Sequence, residues 1–363
     1  MPRIYIADKV FTGTEWLKDY AVVIEDERIL NVLPSTGING NVKRYENAFI
    51  APAFIDAQVY GAAQKLFSFF PTKETLQIMY DTFIKEGTAL FQPTLATNTI
   101  DVFKKAIDAV RDYRSSGWKG VHGLHLEGPW LNKLKRGAHM ESLIHSPTIA
   151  EVRDLLDYGS GVISMITIAP EVCSKEVIEL ILSHNIIISA GHSSATYKEA
   201  IDGFNLGIST VTHLFNAMSP FSHRAPGLAG ATMNHPTVLA SIIPDGYHVD
   251  FEAVAIAKKI MGERLFAITD AVTETADGPY QHHLAGEKYE SSGILSGSVL
   301  SMHKAFKNLV TKVGVETEEA LRMCSLYPAI ALKSDHLYGK IAPGYSGQLI
   351  VPGNELELID VIS

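Results

Sequence analysis

Eight short apolar segments, rich in β-branched residues, recur along this chain. They are FIDAQVY, ALFQPTLAT, VHGLHLEG, VISMITIAP, IIISAGH, STVTHLFNAM, LASIIPDGYH and LFAITDAV. Between most of them stand stretches whose apolar residues return at three- and four-residue spacing: TKETLQIMYDTFIKEG, DVFKKAIDAVRDYRSSG, TIAEVRDLLDYG, SKEVIELILSHN, TYKEAIDGFNLG and FEAVAIAKKIMG. Several of these follow Ser, Thr or Asp and end in Gly, as capped helices do. Alternation of this kind predicts an α/β chain, and eight repeats predict a (β/α)8 (TIM) barrel. A doubly wound open sheet is the alternative, but no glycine-rich phosphate loop supports it.

The two ends of the chain read differently. IYIADKVF, YAVVIED and RILNVL are short strand patterns, with a hairpin expected at Glu25-Asp26-Glu27. GQLIVPGNELELIDVIS is also strand-like. Residues 1–50 and 335–363 are therefore expected to pair in a small β-sandwich-like domain beside a barrel of residues 51–334.

Of the 363 residues, 46% are hydrophobic and 20% charged, which suits a large packed core. The net charge of −9 argues against a nucleic-acid surface. The start MPRIYIADKVF has no signal-peptide pattern, and no apolar run is long enough to span a bilayer, so a cytoplasmic protein without membrane contact is expected. Cys173 and Cys324 stand far apart with no CxxC, which removes a cysteine-based zinc site and leaves two reduced thiols.

Chemistry is expected where polar residues stop the apolar runs, because barrels of this type work at the C-terminal ends of their strands. Glu127 closes the third segment, on the same face as His125, before Gly128-Pro129. His192 closes the fifth, ahead of Ser193-Ser194, which are placed to cap the next helix. His213 lies in the sixth, and Asp270 closes the eighth. Each alone has an ordinary reading as a loop carboxylate, a packed imidazole or a cap. Together, one Glu and two His with an open fourth position form a catalytic metal-ligand set. Asp270 beside an activated water is then a general base and later a general acid. His248, ending the seventh segment, either meets substrate and polarises a carbonyl or caps a helix. Arg224, in the Gly- and Pro-rich loop THLFNAMSPFSHRAPGLAGA, offers a planar fork for phosphate, supplemented by backbone N–H groups after Asn216; its alternative is a solvated surface head. His184, His235, His282, His283 and His303 are assigned no chemistry.

HLEGPW, AGHSSATYKEA, THLFNAM, APGLAGA, PDGYHVD, TDA and LSGS occur in order between about Ala51 and Gly344. This set resembles the N-acetylglucosamine-6-phosphate deacetylases of the amidohydrolase superfamily. The resemblance implies a barrel fold, hydrolysis of an amino-sugar phosphate acetamide, and metal ligands at Glu127, His192 and His213. It implies Asp270 as catalytic acid/base and His248 as a sugar contact and oxyanion donor. Asn216-Ala217 and Arg224 would bind the phosphate, with Arg224 reaching the neighbouring active site of a homodimer. Ala138-His139 match a further substrate-binding stretch, and Leu295 a residue lining the acetyl site. The chain departs from the pattern at its first strand. A superfamily His-x-His pair is replaced by FIDAQVYG, and a Gln-x-Asn-Gly run by Tyr60-Gly61-Ala62-Ala63-Gln64. Gly347-Gln348 stand where an Ala-Asp pair is common. With Ala57 or Gln58 at the first-strand positions, one divalent ion per subunit is expected: zinc, with iron, cobalt or manganese as alternatives. Other readings are a different amide hydrolase of the superfamily, which would not need the THLFNAM…HR loop, and a sugar-phosphate-binding relative without turnover.

Overall fold

The computed structural model describes residues 1–38, 40–276, 278–291 and 293–363. Eight strands form the central parallel sheet: β1 (Phe54–Val59), β2 (Thr88–Ala96), β3 (Leu124–Glu127), β4 (Ile163–Ile168), β5 (Ile187–Ala190), β6 (Thr210–Val211), β7 (Leu239–Ile242) and β8 (Leu265–Ala267). They are hydrogen-bonded in chain order, and a parallel bridge between Val59 and Ala271 closes the ring. Tyr60 N–H donates to Ala271 O at 2.9 Å and Asp270 N–H to Gln58 O at 3.0 Å, so closure fixes the first-strand exit beside Asp270. The fold is an (β/α)8 barrel.

Helices α1 (Lys73–Phe83), α2 (Ile100–Ser115), α3 (Ile149–Tyr158), α4 (Lys175–Ser183) and α5 (Tyr197–Leu206) fall where the periodicity puts them, followed by α6 (Gly227–Asn234) and α7 (Phe251–Met261). Side chains of Thr99, Thr148, Ser174 and Thr196 accept N–H bonds at the starts of α2 to α5. Such caps contribute about 1 kcal/mol each. The cap of α5 is Thr196, which completes a capping box with Glu199, and not Ser193-Ser194. Those serines turn to the Glu171 carboxylate instead.

Two elements escape the sequence pattern. Every residue from Gly227 to Met233 of α6 is buried, so the segment has no amphipathic stripe and reads as a Gly-rich loop. After β8 the chain forms a small antiparallel sheet from His283–Leu284, Lys288–Ser291 and Ile294–Ser298, none of which is among the strand segments read from the sequence.

The terminal strands form two further sheets. One runs Arg28–Pro34, Tyr20–Glu25, Arg3–Ile6, Val42–Arg44; the other Leu358–Ile362, Leu349–Pro352, Phe49–Pro52, Lys9–Phe11, Trp16–Lys18. Leu349 pairs with Pro52 and Ile350 with Ala51, which joins the two chain ends in one small sandwich. Its hairpin turns at Asp26 (φ 46°) and Glu27 (φ 66°), the two left-handed positions that a tight twisted turn requires. Val10, Val22, Ile24, Ile29, Ile50, Leu349 and Val351 fill its core. The chain divides into two compact units, Met1–Asp56 with Phe83–Leu90 and Ser301–Ser363, and Ala57–Thr82 with Phe91–Leu300. No helix among the described residues is long and apolar enough to cross a membrane.

Candidate active site

At the C-terminal ends of the strands lies a pocket of about 300 Å³, lined among others by Tyr60, Glu127, His139, His192, His213 and Asp270. Ala138, Asn216, Ala217, His248 and Leu295 also line it, whereas Arg224 is exposed and does not. Lys135 is the only Lys or Arg among the described lining residues. His192, His213, Phe215, Ala217 and Asp270 all take left-handed φ values between 35° and 79°, a strain that such sites commonly carry.

Glu127 is the hub, and its two oxygens have different partners. Oε2 accepts from the Tyr60 hydroxyl and lies 3.1 Å from His139 Nε2. Oε1 lies 3.2 Å from His192 Nε2, 3.1 Å from His213 Nε2 and 3.1 Å from Gln58 Nε2. Glu127, His139 and His192 offer ligand atoms within 4.8 Å of one another, a group able to hold a metal ion.

Hydrogen bonding sets the imidazole tautomers. His139 Nδ1 accepts from Thr97 N–H at 3.2 Å, so its Nε2 carries the proton and donates to Glu127. His192 Nδ1 lies 2.9 Å from Lys135 O, which can only accept, so that nitrogen carries the proton and Nε2 presents a lone pair. His192 Nε2 and His213 Nε2 are 3.1 Å apart. His213 Nδ1 is buried without a hydrogen-bond partner among the described residues. Two imidazole nitrogens and a carboxylate oxygen converging at this range repel unless a proton or a cation lies among them. This donor set fits a divalent ion held by one carboxylate and imidazoles.

Electrostatics agree with that crowding. Burial pushes the Glu127 carboxyl up, but the His192 and His139 rings outweigh it and hold it well below the usual range. Burial lowers His192. Burial also opposes protonation of His213, yet its bond to and the charge of Glu127 raise it. The His139 ring adds to the lowering at His192, whereas the Asp270 charge adds to the raising at His213. Tyr60 is raised by burial and by the Glu127 and Asp270 charges, so it stays a neutral donor. Asp270 is raised, chiefly by burial, with Glu127 adding to the shift and His213 opposing it.

Gln58 links the carboxylates: its Nε2 also lies 2.7 Å from Asp270 Oδ1 and 2.8 Å from Tyr60 Oη. His248 Nδ1 donates to Asp245 Oδ2 at 2.7 Å, which leaves Nε2 for the pocket. Below the hub, His125 Nε2 meets Thr167 Oγ1 at 2.7 Å inside the barrel. His282, assigned nothing from sequence, is buried, lines the pocket and bonds Ser296 Oγ at 2.9 Å. Burial lowers it to about 4. Only its parity with Tyr280, also in the lining, signals this in the sequence.

A closed parallel barrel with a Glu/His metal group and a second, half-buried carboxylate defines a metal-dependent hydrolase. The chain belongs to the amidohydrolase family, whose model matches residues 49–357, and residues 7–46 match a NagA composite domain. It is 33% identical to N-acetylglucosamine-6-phosphate deacetylase of Haemophilus influenzae, over 94% of this chain and 93% of that protein. The crystal structure of N-acetylglucosamine-6-phosphate deacetylase from Pasteurella multocida superposes with a TM-score of 0.94 at 31% identity, covering 99% of this chain and 98% of the other. N-acetylgalactosamine-6-phosphate deacetylase of Escherichia coli O157:H7 is 28% identical over 96% of this chain and 95% of its own length. Within the family, the chain is thus closely related to the amino-sugar-phosphate deacetylases.

Proposed function

We propose that the protein hydrolyses the acetamide of N-acetyl-D-glucosamine 6-phosphate to D-glucosamine 6-phosphate and acetate. The observation that carries this reading is the pairing of two unlike carboxylates in one pocket, Glu127 buried and Asp270 half-buried. Glu127 is held ionised among imidazoles, and Asp270 is raised toward proton exchange. Glu127, His192 and His213 would hold the ion, because His139 spends its Nε2 proton on Glu127 Oε2. A single zinc ion held there would supply a Lewis acid, lowering the pKa of water and polarising a carbonyl. Asp270 takes a proton from the attacking water and passes it to the departing nitrogen. His248, its Nδ1 proton committed to Asp245, faces the pocket through Nε2 and stabilises the developing oxyanion there. Asn216, Ala217, Ala138 and Leu295 shape the sugar and acetyl sites.

Arg224 binds the phosphate of the neighbouring subunit's substrate in a homodimer. Its exposed loop also carries Phe221, which with Phe215, Met233, Ile256 and Ile260 lines an apolar surface groove of about 390 Å³. An apolar groove of this kind suits a subunit contact. Cytoplasmic amino-sugar metabolism is the setting in which such a substrate is met.

The 4-epimer, N-acetyl-D-galactosamine 6-phosphate, is the second reading, favoured by the Escherichia coli relative. Acetate release from both sugar phosphates and from unphosphorylated N-acetylglucosamine tests the assignment. N-acetyl-D-glucosamine 6-phosphate is expected to be fastest, with about 100-fold loss in kcat/KM without phosphate. Equal rates with and without phosphate contradict the substrate class, and faster release from N-acetyl-D-galactosamine 6-phosphate contradicts the isomer.

A further inference from the structure

We propose that Glu171 is the positioning residue that holds the metal-binding loops in register, acting on the ion through His192 without touching it. Glu171 lies just past β4, half-buried and outside the pocket lining. Its carboxylate gathers three donors from two loops. Oε1 accepts from Asn132 Nδ2 at 3.0 Å and from Ser194 N–H at 2.6 Å; Oε2 accepts from Ser193 Oγ at 2.7 Å. Asn132 belongs to the loop after β3, and the serines to the loop after β5.

His192 sits at the centre of this clamp. Ser193 and Ser194 follow it directly, and Asn132 N–H donates to its carbonyl at 2.9 Å. The same loop also supplies Lys135 O, the acceptor that fixes the His192 tautomer. Glu171 therefore controls both the backbone carrying the ring and the group that leaves Nε2 bare. The clamp extends to the loop after β6: Ser193 N–H donates to Ala217 O at 3.1 Å, and Ser219 N–H to Ser193 O at 2.9 Å. His192 adopts φ 48°, a conformation that persists only where its surroundings impose it. Three bonds to one carboxylate supply that restraint, as outer hydrogen bonds do for many metal ligands.

The inference rests on the metal reading above, and the test separates the two. Zn²⁺ affinity is measured by chelator competition on metal-depleted full-length protein. Glu171→Ala is expected to bind Zn²⁺ about 10- to 100-fold more weakly, with kcat at saturating Zn²⁺ within about threefold of wild type. Glu171→Gln keeps all three bonds, because Ser193 Oγ can accept from the new amide, and is expected to bind within about threefold of wild type. Equal affinity of the Ala and Gln variants, whether both strong or both weak, overturns the proposal. Should Glu171→Ala not fold, Ser193→Ala combined with Asn132→Leu removes two donors and is expected to weaken Zn²⁺ binding about tenfold; unchanged binding overturns the proposal. If wild type binds no Zn²⁺, or His192→Ala binds as well as wild type, the metal reading fails instead.

Discussion

The terminal sandwich and the barrel mouth solve opposite problems. The sandwich buries Val22, Ile24, Ile50 and Leu349, and its left-handed residues Asp26 and Glu27 sit on an exposed turn where the strain serves a hairpin. The barrel mouth buries Glu127, His139, His192 and His213, and its left-handed residues include two of those imidazoles. Apolar burial stabilises the first region without specific partners. The second is favourable only when each polar group finds its counterpart, and among the described residues His213 Nδ1 has none. Stability and activity should therefore respond to different substitutions.

Asp270→Asn should produce the largest effect, cutting turnover by about 10²- to 10⁴-fold while Zn²⁺ binding by metal analysis is kept. Near-normal turnover would remove Asp270 from proton transfer. Ile24→Ala should act in the opposite sense: denaturant unfolding is expected to show a loss of about 2–5 kcal/mol, with unchanged turnover per folded molecule. Loss of turnover in the folded variant would break the division. Tyr60→Phe removes a donor to Glu127 and should weaken Zn²⁺ binding by about 10- to 100-fold, read by chelator competition, with little change in thermal unfolding of the metal-free protein.

The smallest effect belongs to Asp360, whose carboxyl is held below its usual range: burial opposes ionisation, but Lys43 and Tyr45 outweigh it. A depressed carboxyl stabilises the fold above its unfolded pKa of about 4, and this is lost as pH falls through the folded value. Asp360→Asn should cost under about 1 kcal/mol at neutral pH, given the half-exposed Lys43 partner. The gap from wild type should close below about pH 4 in unfolding measured across pH.

The barrel was legible because its strands and helices alternate with distinct periods and the helices begin at capping residues. Helix α6 was hidden because it is buried all round, and the sheet over His283–Ser298 because its residues are mostly polar and half-exposed. At the site, residue types at strand ends marked Glu127, His192, His213 and Asp270, and the structure brings all four into one pocket. Glu171 and the Gln58 link between carboxylates carry no local signal, and His282 carries only its parity with Tyr280. Their partners are far off in sequence, and only the closed ring brings Gln58 to Asp270. The altered first strand did mark Gln58 and Tyr60 as unusual, and both prove to bond Glu127.

The most direct test is metal titration of turnover. Metal-depleted protein should release no acetate from N-acetyl-D-glucosamine 6-phosphate, and added Zn²⁺ should restore release linearly to a plateau at one ion per chain. Turnover without metal, or a plateau at two ions per chain, would contradict a single ion held by Glu127, His192 and His213.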